Sequence, residues 1–364
     1  KLSWWKGSFK SIRYDLNGDL TSQGLSPESF DVVICANVVH ATKRIRESLM
    51  RITSALRVGG ILVMLEQTLK RPWVDITFGL MREYFSFEDR DLRKDHCVLF
   101  RPEWKGVMES CGFLDVNFVP EELEYGSSMI VGRYIGLPSP SDGDVDASLH
   151  PVCSKLGPDF SLDPKGFDLV DEVALRYIVV AFENIGVWTL LRDGSHGIEE
   201  LSKKSQISLD YVPLFHHLLK VLEQHGYVTG SKSGEIYLEK EDLSVSTTHE
   251  IDSFVAGIRS GYPTISMEMD VVCRCGPFVD RVLKGTKPSV EVLFPGGDAS
   301  LVEKVYASTP GAVYLNKCVG KTIAWEVNRI LSTRGHVRIL EIGGGTGSTT
   351  REIVQLLPQD GRVE

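Results

Sequence analysis

The stretch that decides the fold is Val337–Arg338–Ile339–Leu340–Glu341–Ile342–Gly343–Gly344–Gly345–Thr346–Gly347 near the end of the chain. Four apolar positions followed by a glycine-rich turn, and then by a helical pattern over Ser348–Leu357, predict a strand, a tight turn and a helix start. Backbone amides at such a turn point at whatever lies over the strand end. A single strand and helix cannot close an α/β sheet, yet only residues 348–364 follow. The complement stands at the other end of the chain. Phe30–Asp31–Val32–Val33–Ile34–Cys35–Ala36–Asn37–Val38–Val39–His40 and Gly59–Gly60–Ile61–Leu62–Val63–Met64–Leu65–Glu66 have the continuous apolar character of strands buried on both faces of a parallel sheet.

Working outward, residues 9–133 alternate short apolar runs with helical patterns, the signature of strand–helix–strand units. Strands are expected at Ser11–Leu16, Asp31–Asn37 and Ile61–Leu65, with an edge strand at Asp115–Pro120. Leu49, Ile52 and Leu56 recur at helical spacing, and a turn is expected at Gly59–Gly60. A second helix starts at Pro102–Glu103 and carries Trp104, Val107 and Met108. The proline- and serine-rich run 134–166 has the composition of a linker. Beyond it lie a long helix over Asp168–Leu191, a helix–turn–helix and hairpin over Gly197–Tyr237 in the outline of a winged helix, further helices broken at 261–263 and 295–297, and a last helix from Tyr314 to Leu331.

The 364 residues are 42% hydrophobic and 24% charged, an ordinary globular composition with room for two or three domains. A net charge of -9 without a basic run argues against nucleic-acid or membrane-surface partners. The winged-helix segment offers almost no basic residue along Val212–Leu219, so a structural or lid role is expected of it. Seven scattered cysteines suit reduced thiols in the cytoplasm, and Cys273 and Cys275 lack the spacing of a zinc site, so no metal is expected. No apolar stretch is long enough for a membrane span and no signal peptide is visible; position 1 is lysine, so a piece excised from a longer chain is expected.

Two constellations carry chemistry. The glycine turn lacks the third glycine spacing of a dinucleotide fingerprint, because Ser348 stands there, and no Gly-Lys-Ser/Thr follows. An acid, Glu341, precedes it instead. The second constellation is His40 and Glu66, each ending one of two strands joined by a single helix. A right-handed crossover then puts both side chains at the carboxyl edge of the sheet, where open α/β sheets bind ligands. A histidine held by a carboxylate is a general base whose tautomer the acid sets.

Glu341-x-Gly343-x-Gly345-x-Gly347 resembles motif I of the S-adenosylmethionine-dependent methyltransferases. Ala36–Asn37–Val38–Val39–His40–Ala41–Thr42, Arg57–Val58–Gly59–Gly60 with Leu65–Glu66, Phe78–Gly79–Leu80, Leu92–Arg93, Arg101–Pro102–Glu103–Trp104, Cys111–Gly112–Phe113, Leu293–Phe294–Pro295–Gly296–Gly297 and Val313–Tyr314–Leu315–Asn316 together resemble the C-methyltransferase domain of polyketide synthases. The resemblance implies a Rossmann-like, seven-stranded core sheet and a mainly α-helical lid with a winged-helix-like part. On that reading residues 1–133 are the second half of the core, 134–166 a linker, 167–310 the lid, and 311–364 the first half of the core, in permuted order. It implies methyl transfer from S-adenosylmethionine, leaving S-adenosylhomocysteine, to the α-carbon of a β-ketoacyl thioester on the phosphopantetheine arm of an acyl carrier protein, within a cytoplasmic synthase of neighbouring domains. His40 would take the α-proton and Glu66 would orient it. Glu341, Gly343, Gly344, Gly345, Gly347, Asn37 and Asp15 would bind the cofactor, and Tyr314 the substrate. The family's ribose-binding acid has no counterpart; roughly twenty residues, a strand and a helix, are expected between Glu364 and Lys1 to supply it. An O-methyltransferase acting on a small hydroxylated acceptor and an inactive scaffold domain both stay open at this point.

Overall fold

The computed structural model describes residues 9–121, 126–136, 164–231, 234–240 and 244–364. The chain divides into two units. The first comprises residues 1–69, 87–162 and 306–364, and the second residues 70–86 and 163–305. Of the expected linker 134–166, residues 137–163 lie outside the described residues, while Tyr134 ends a strand and residues 164–166 begin a helix.

The first unit is built on a five-stranded sheet. Its strands are β1 (Phe30–Ala36), β2 (Leu56–Gln67), β3 (Phe113–Val119), β4 (Ser127–Tyr134) and β5 (Ile339–Ile342), in the order β3-β4-β2-β1-β5. β1 runs parallel to both β2 and β5, with Ile34 opposite Val63 on one side and Glu341 on the other. The two ends of the chain therefore complete one sheet. β2, β4 and β3 pair antiparallel, which gives the sheet a hairpin edge at β3, as the sequence places it.

Period-two alternation along β1 and β2 fills two layers. Val33, Cys35, Leu62 and Met64 face one side, where they pack with Ile45, Leu49 and Ile52 of α1 (Ile45–Ala55) and with Trp104, Val107 and Met108 of α2 (Arg101–Ser110). Val32, Ile34, Ile61, Val63 and Leu65 face the other, against Leu315, Val319, Ile323 and Val327 of α3 (Pro310–Leu331) and Ile353 of α4 (Ser348–Val354). These strand residues are almost wholly buried, which is why their sequence shows no polar positions to alternate with.

Two expectations need correction. Ser11–Leu16 forms no strand; it is extended coil running into a turn. The outer edge of β5 is taken instead by the chain end, where Val337 bridges Val363 in parallel, the Ile339 amide donates to the Glu364 carbonyl, and the Glu364 amide donates to the Val337 carbonyl. Gly59–Gly60 is no turn, because α1 ends at Ala55 and β2 begins at once. A Cβ on Gly60 would lie 2.9 Å from the carbonyl oxygens of both Arg57 and Asp31, so this glycine serves close backbone approach within a strand. In this sheet the described residues give five strands and one bridge.

The second unit is mainly helical. Its long helix runs Pro164–Asn184, breaks at Gly186 (φ 81°), and resumes over Val187–Asp193. Phe182 stacks on Phe215 at 5.2 Å between ring centroids, and the Trp188 indole donates to the Val179 carbonyl. Helices Ile198–Lys204 and Val212–Gln224 and a small three-stranded sheet with the hairpin Val228–Gly230 and Glu235–Leu238 form the winged-helix outline. Among the described residues no single helix is long and apolar enough to cross a membrane.

Candidate functional site

The site lies where β1, β2 and β5 end. Asn37 leaves β1 with φ 52°, an uncommon left-handed conformation that asparagine tolerates, and its amide still donates to the Leu65 carbonyl. The backbone then coils through Val38–Thr42. Glu66, the penultimate residue of β2, is fully buried, and both of its oxygens are used within this coil. Oε1 accepts the Val39 amide at 2.9 Å, and Oε2 stands 2.5 Å from His40 Nδ1. A carboxylate is acceptor-only, so in a neutral imidazole this contact favours the tautomer with the proton on Nδ1. The His40 side chain is 13% exposed, whereas Glu66 is fully buried behind it. The strand adjacency inferred from sequence thus produces direct contact.

Gly343, Gly345 and Gly347 adopt φ of 75°, 44° and 74°, and the Gly347 amide closes onto the Gly344 carbonyl before α4 starts at Ser348. A Cβ on Gly343 would stand 3.0 Å from Val38 Cγ2, so the glycine turn and the His40 coil are packed against each other. Glu341 belongs to β5, and its Oε2 accepts the Thr350 hydroxyl of α4 at 2.6 Å. Its Oε1 is buried without a hydrogen-bond partner among the described residues. Burial pushes the Glu341 carboxyl above its ordinary range, against the lowering effect of Thr350. A buried acceptor left open beside a cradle of glycines fits a cationic group, and a sulfonium cofactor's ammonium is one. Between the two acids sits Cys35 on β1; burial first, then the charges of Glu66 and Glu341, raise its thiol far above normal.

The remaining sequence candidates have other surroundings. Asp15 is exposed, and its carboxylate accepts from the Asn17 backbone and side-chain amides, which hold it below its ordinary range. Tyr314 is packed in the layer between α3 and the sheet. Another tyrosine, Tyr306, has its phenol pushed up to about 12, by burial first and then by the charge on Glu66. Sequence reasoning passed over Tyr306 and Thr350. Thr350 lies nine residues after Glu341, and only the turn into α4 folds it back.

The profile of the family described as Methyltransferase domain matches residues 6–64, the segment that carries β1, the His40 coil and most of β2. This part of the chain is similar to methyltransferase domains. Its curated relatives are polyketide synthases. The Bacillus subtilis polyketide synthase PksR is 36% identical over 127 residues, 34% of this chain and 5% of that protein. The non-reducing polyketide synthase esdpA of Penicillium shearii is 34% identical over 106 residues, 28% of this chain and 5% of that protein. The chain therefore spans a small part of these relatives' length. Among solved structures, the CurJ carbon methyltransferase is 36% identical over 34% of this chain and 34% of that one, at a TM-score of 0.33.

Proposed function

We propose that this methyltransferase domain is the C-methyltransferase of a cytoplasmic polyketide synthase, methylating the α-carbon of a β-ketoacyl thioester presented by an acyl carrier protein. The observation that carries this reading is the His40–Glu66 pair, at 2.5 Å, packed beside the glycine turn. S-adenosylmethionine, when bound, supplies an electrophilic methyl group. Glu341 Oε1 is suited to hold its ammonium group, and the amides of Gly343–Gly347, with Asn37, to line the cofactor.

The residues of the chain do the rest. Glu66 keeps the proton on His40 Nδ1, so Nε2 accepts the α-proton of the substrate. A carbon flanked by a ketone and a thioester is acidic enough for imidazole to deprotonate without a metal. Tyr314, the candidate for the substrate side, is buried between α3 and the sheet, and Tyr306 is a second candidate to position the acyl group. The likeness to polyketide synthases favours carbon methylation over O-methylation of a free small molecule.

Mass spectrometry of a β-ketoacyl carrier protein incubated with the protein and S-adenosylmethionine tests this. The expected result is the gain of one methyl group, abolished in His40→Ala. Methylation of free phenolic or hydroxy acids, with none of the thioester, would replace this reading by the O-methyltransferase one.

A further inference from the structure

His40 is held through its backbone carbonyl as well as through its ring, and the residue responsible lies in irregular chain far along the sequence. Arg93 is 1% exposed. Its Nη1 donates to the His40 carbonyl at 2.7 Å, and its Nη2 to the carbonyls of Thr42 and Lys43 at 2.8 and 2.9 Å. Its Nε donates to Asp89 Oδ1 at 2.6 Å, and the Phe87 ring lies 4.8 Å from the guanidinium carbon. The other oxygen of Asp89 accepts the Ile45 amide, the first of α1. That helix has no cap from its own flanking side chain, Arg44, so Asp89 replaces one. One ion pair thus grips both ends of the segment His40–Ile45.

Backbone accounting shows what the grip does. Within the coil, Val38 O accepts from the Ala41 amide and Val39 O from Thr42, through both amide and hydroxyl. The carbonyls of His40 and Thr42 depend on Arg93, and that of Lys43 is shared between Arg93 and the Glu88 amide. A buried carbonyl left open is costly, so losing the fork frees the His40 peptide to rotate. Lysine has no planar fork and cannot reach three carbonyls in this geometry.

We propose that Arg93, aligned by Asp89, is a positioning residue for His40: it fixes the peptide that carries the imidazole, so that Nδ1 stays on Glu66 and Nε2 faces the substrate. This rests on His40 being the base. The arrangement requires that Arg93→Lys lower kcat at least tenfold, with the KM for the acyl substrate and the affinity for S-adenosylhomocysteine changed less than twofold, since the guanidinium is buried and spends its donors on protein groups.

The test measures kcat and KM on a β-ketoacyl carrier protein, S-adenosylhomocysteine binding by calorimetry, and the imidazole nitrogen shifts of His40, assigned by their loss in His40→Ala. The variants are Arg93→Lys and, in case that one folds poorly, Asp89→Asn, which loosens the fork and keeps the guanidinium. A kcat loss accompanied by a mixture of the two imidazole tautomers supports the role. Wild-type kcat and a single Nδ1-protonated tautomer in both variants overturn it, as does a loss of cofactor binding equal to the loss of rate, which marks a merely structural residue. An active His40→Ala sinks the general-base reading itself, a result distinct from any obtained with Arg93.

Discussion

Glu66 and Glu341 end neighbouring stretches of the same sheet, on either side of β1, and both are held in buried surroundings, yet their bonding differs. Glu66 has both oxygens occupied by its own chain, one by the Val39 amide and one by His40. Glu341 has one oxygen on Thr350 and the other on nothing among the described residues. A buried carboxylate with its valences filled works inside the protein, as an orienting group. One with a valence open is poised for a partner that arrives from outside. On the proposed function, the contrast assigns Glu66 to the catalytic half of the site and Glu341 to the binding half.

The largest effect is expected where that separation is sharpest. Glu66→Gln puts an amide donor opposite His40 Nδ1 and forces the proton to Nε2, so the base disappears. The methylation rate should fall on the order of 10²–10⁴-fold, while S-adenosylhomocysteine binding, read by calorimetry, stays within twofold. An equal loss of binding would break the division of labour.

Glu341→Gln should do the reverse. Losing a charge-assisted hydrogen bond of about 1.5–3 kcal/mol lowers affinity for S-adenosylmethionine roughly 10–100-fold. The stability of the ligand-free protein should not fall. Burial raises the folded-state pKa of Glu341, so its ionised form opposes folding once pH rises above the ordinary carboxylate range, and that opposition fades on acidification. Thermal unfolding across pH 5 to 8 therefore should show the variant at least as stable as the parent, most visibly at the upper end.

Gly343→Ala tests whether the two halves are coupled. A side chain at φ 75° costs about 1–2 kcal/mol, and its Cβ meets Val38 at 3.0 Å. Denaturant unfolding should show that loss, and the rate should drop with it because Val38 belongs to the His40 coil. The smallest effect belongs to Thr350→Val. Without the hydroxyl, the Glu341 carboxyl rises further, and the pH at which S-adenosylhomocysteine binding is half-maximal moves upward; Thr350→Ser should leave it in place.

The contrast also explains what the sequence could and could not disclose. β1, β2 and β5 were legible because strands buried on both faces carry uninterrupted apolar runs, and the meeting of His40 with Glu66 followed from one short crossover. Ser11–Leu16 looked like a strand because its pattern is local, whereas occupancy of the β5 edge by Val363 and Glu364 is not. Gly59–Gly60 looked like a turn because a glycine pair carries no sign of whether it serves bending or close approach. Arg93, Asp89 and Thr350 act through contacts formed only when separate segments fold together. Their residue types carry no mark of that in the linear chain.

Cys35 lies at the centre of the sheet with no exposed surface, its thiol disfavoured from ionising by burial and by the acids on both neighbouring strands. Alkylating reagents attack the thiolate, so Cys35 can be modified only in molecules whose strands have separated. The speed at which a maleimide or iodoacetamide claims this sulfur thus becomes a clock for sheet opening. A cofactor that ties Glu341 down should slow that clock in proportion to how tightly it binds.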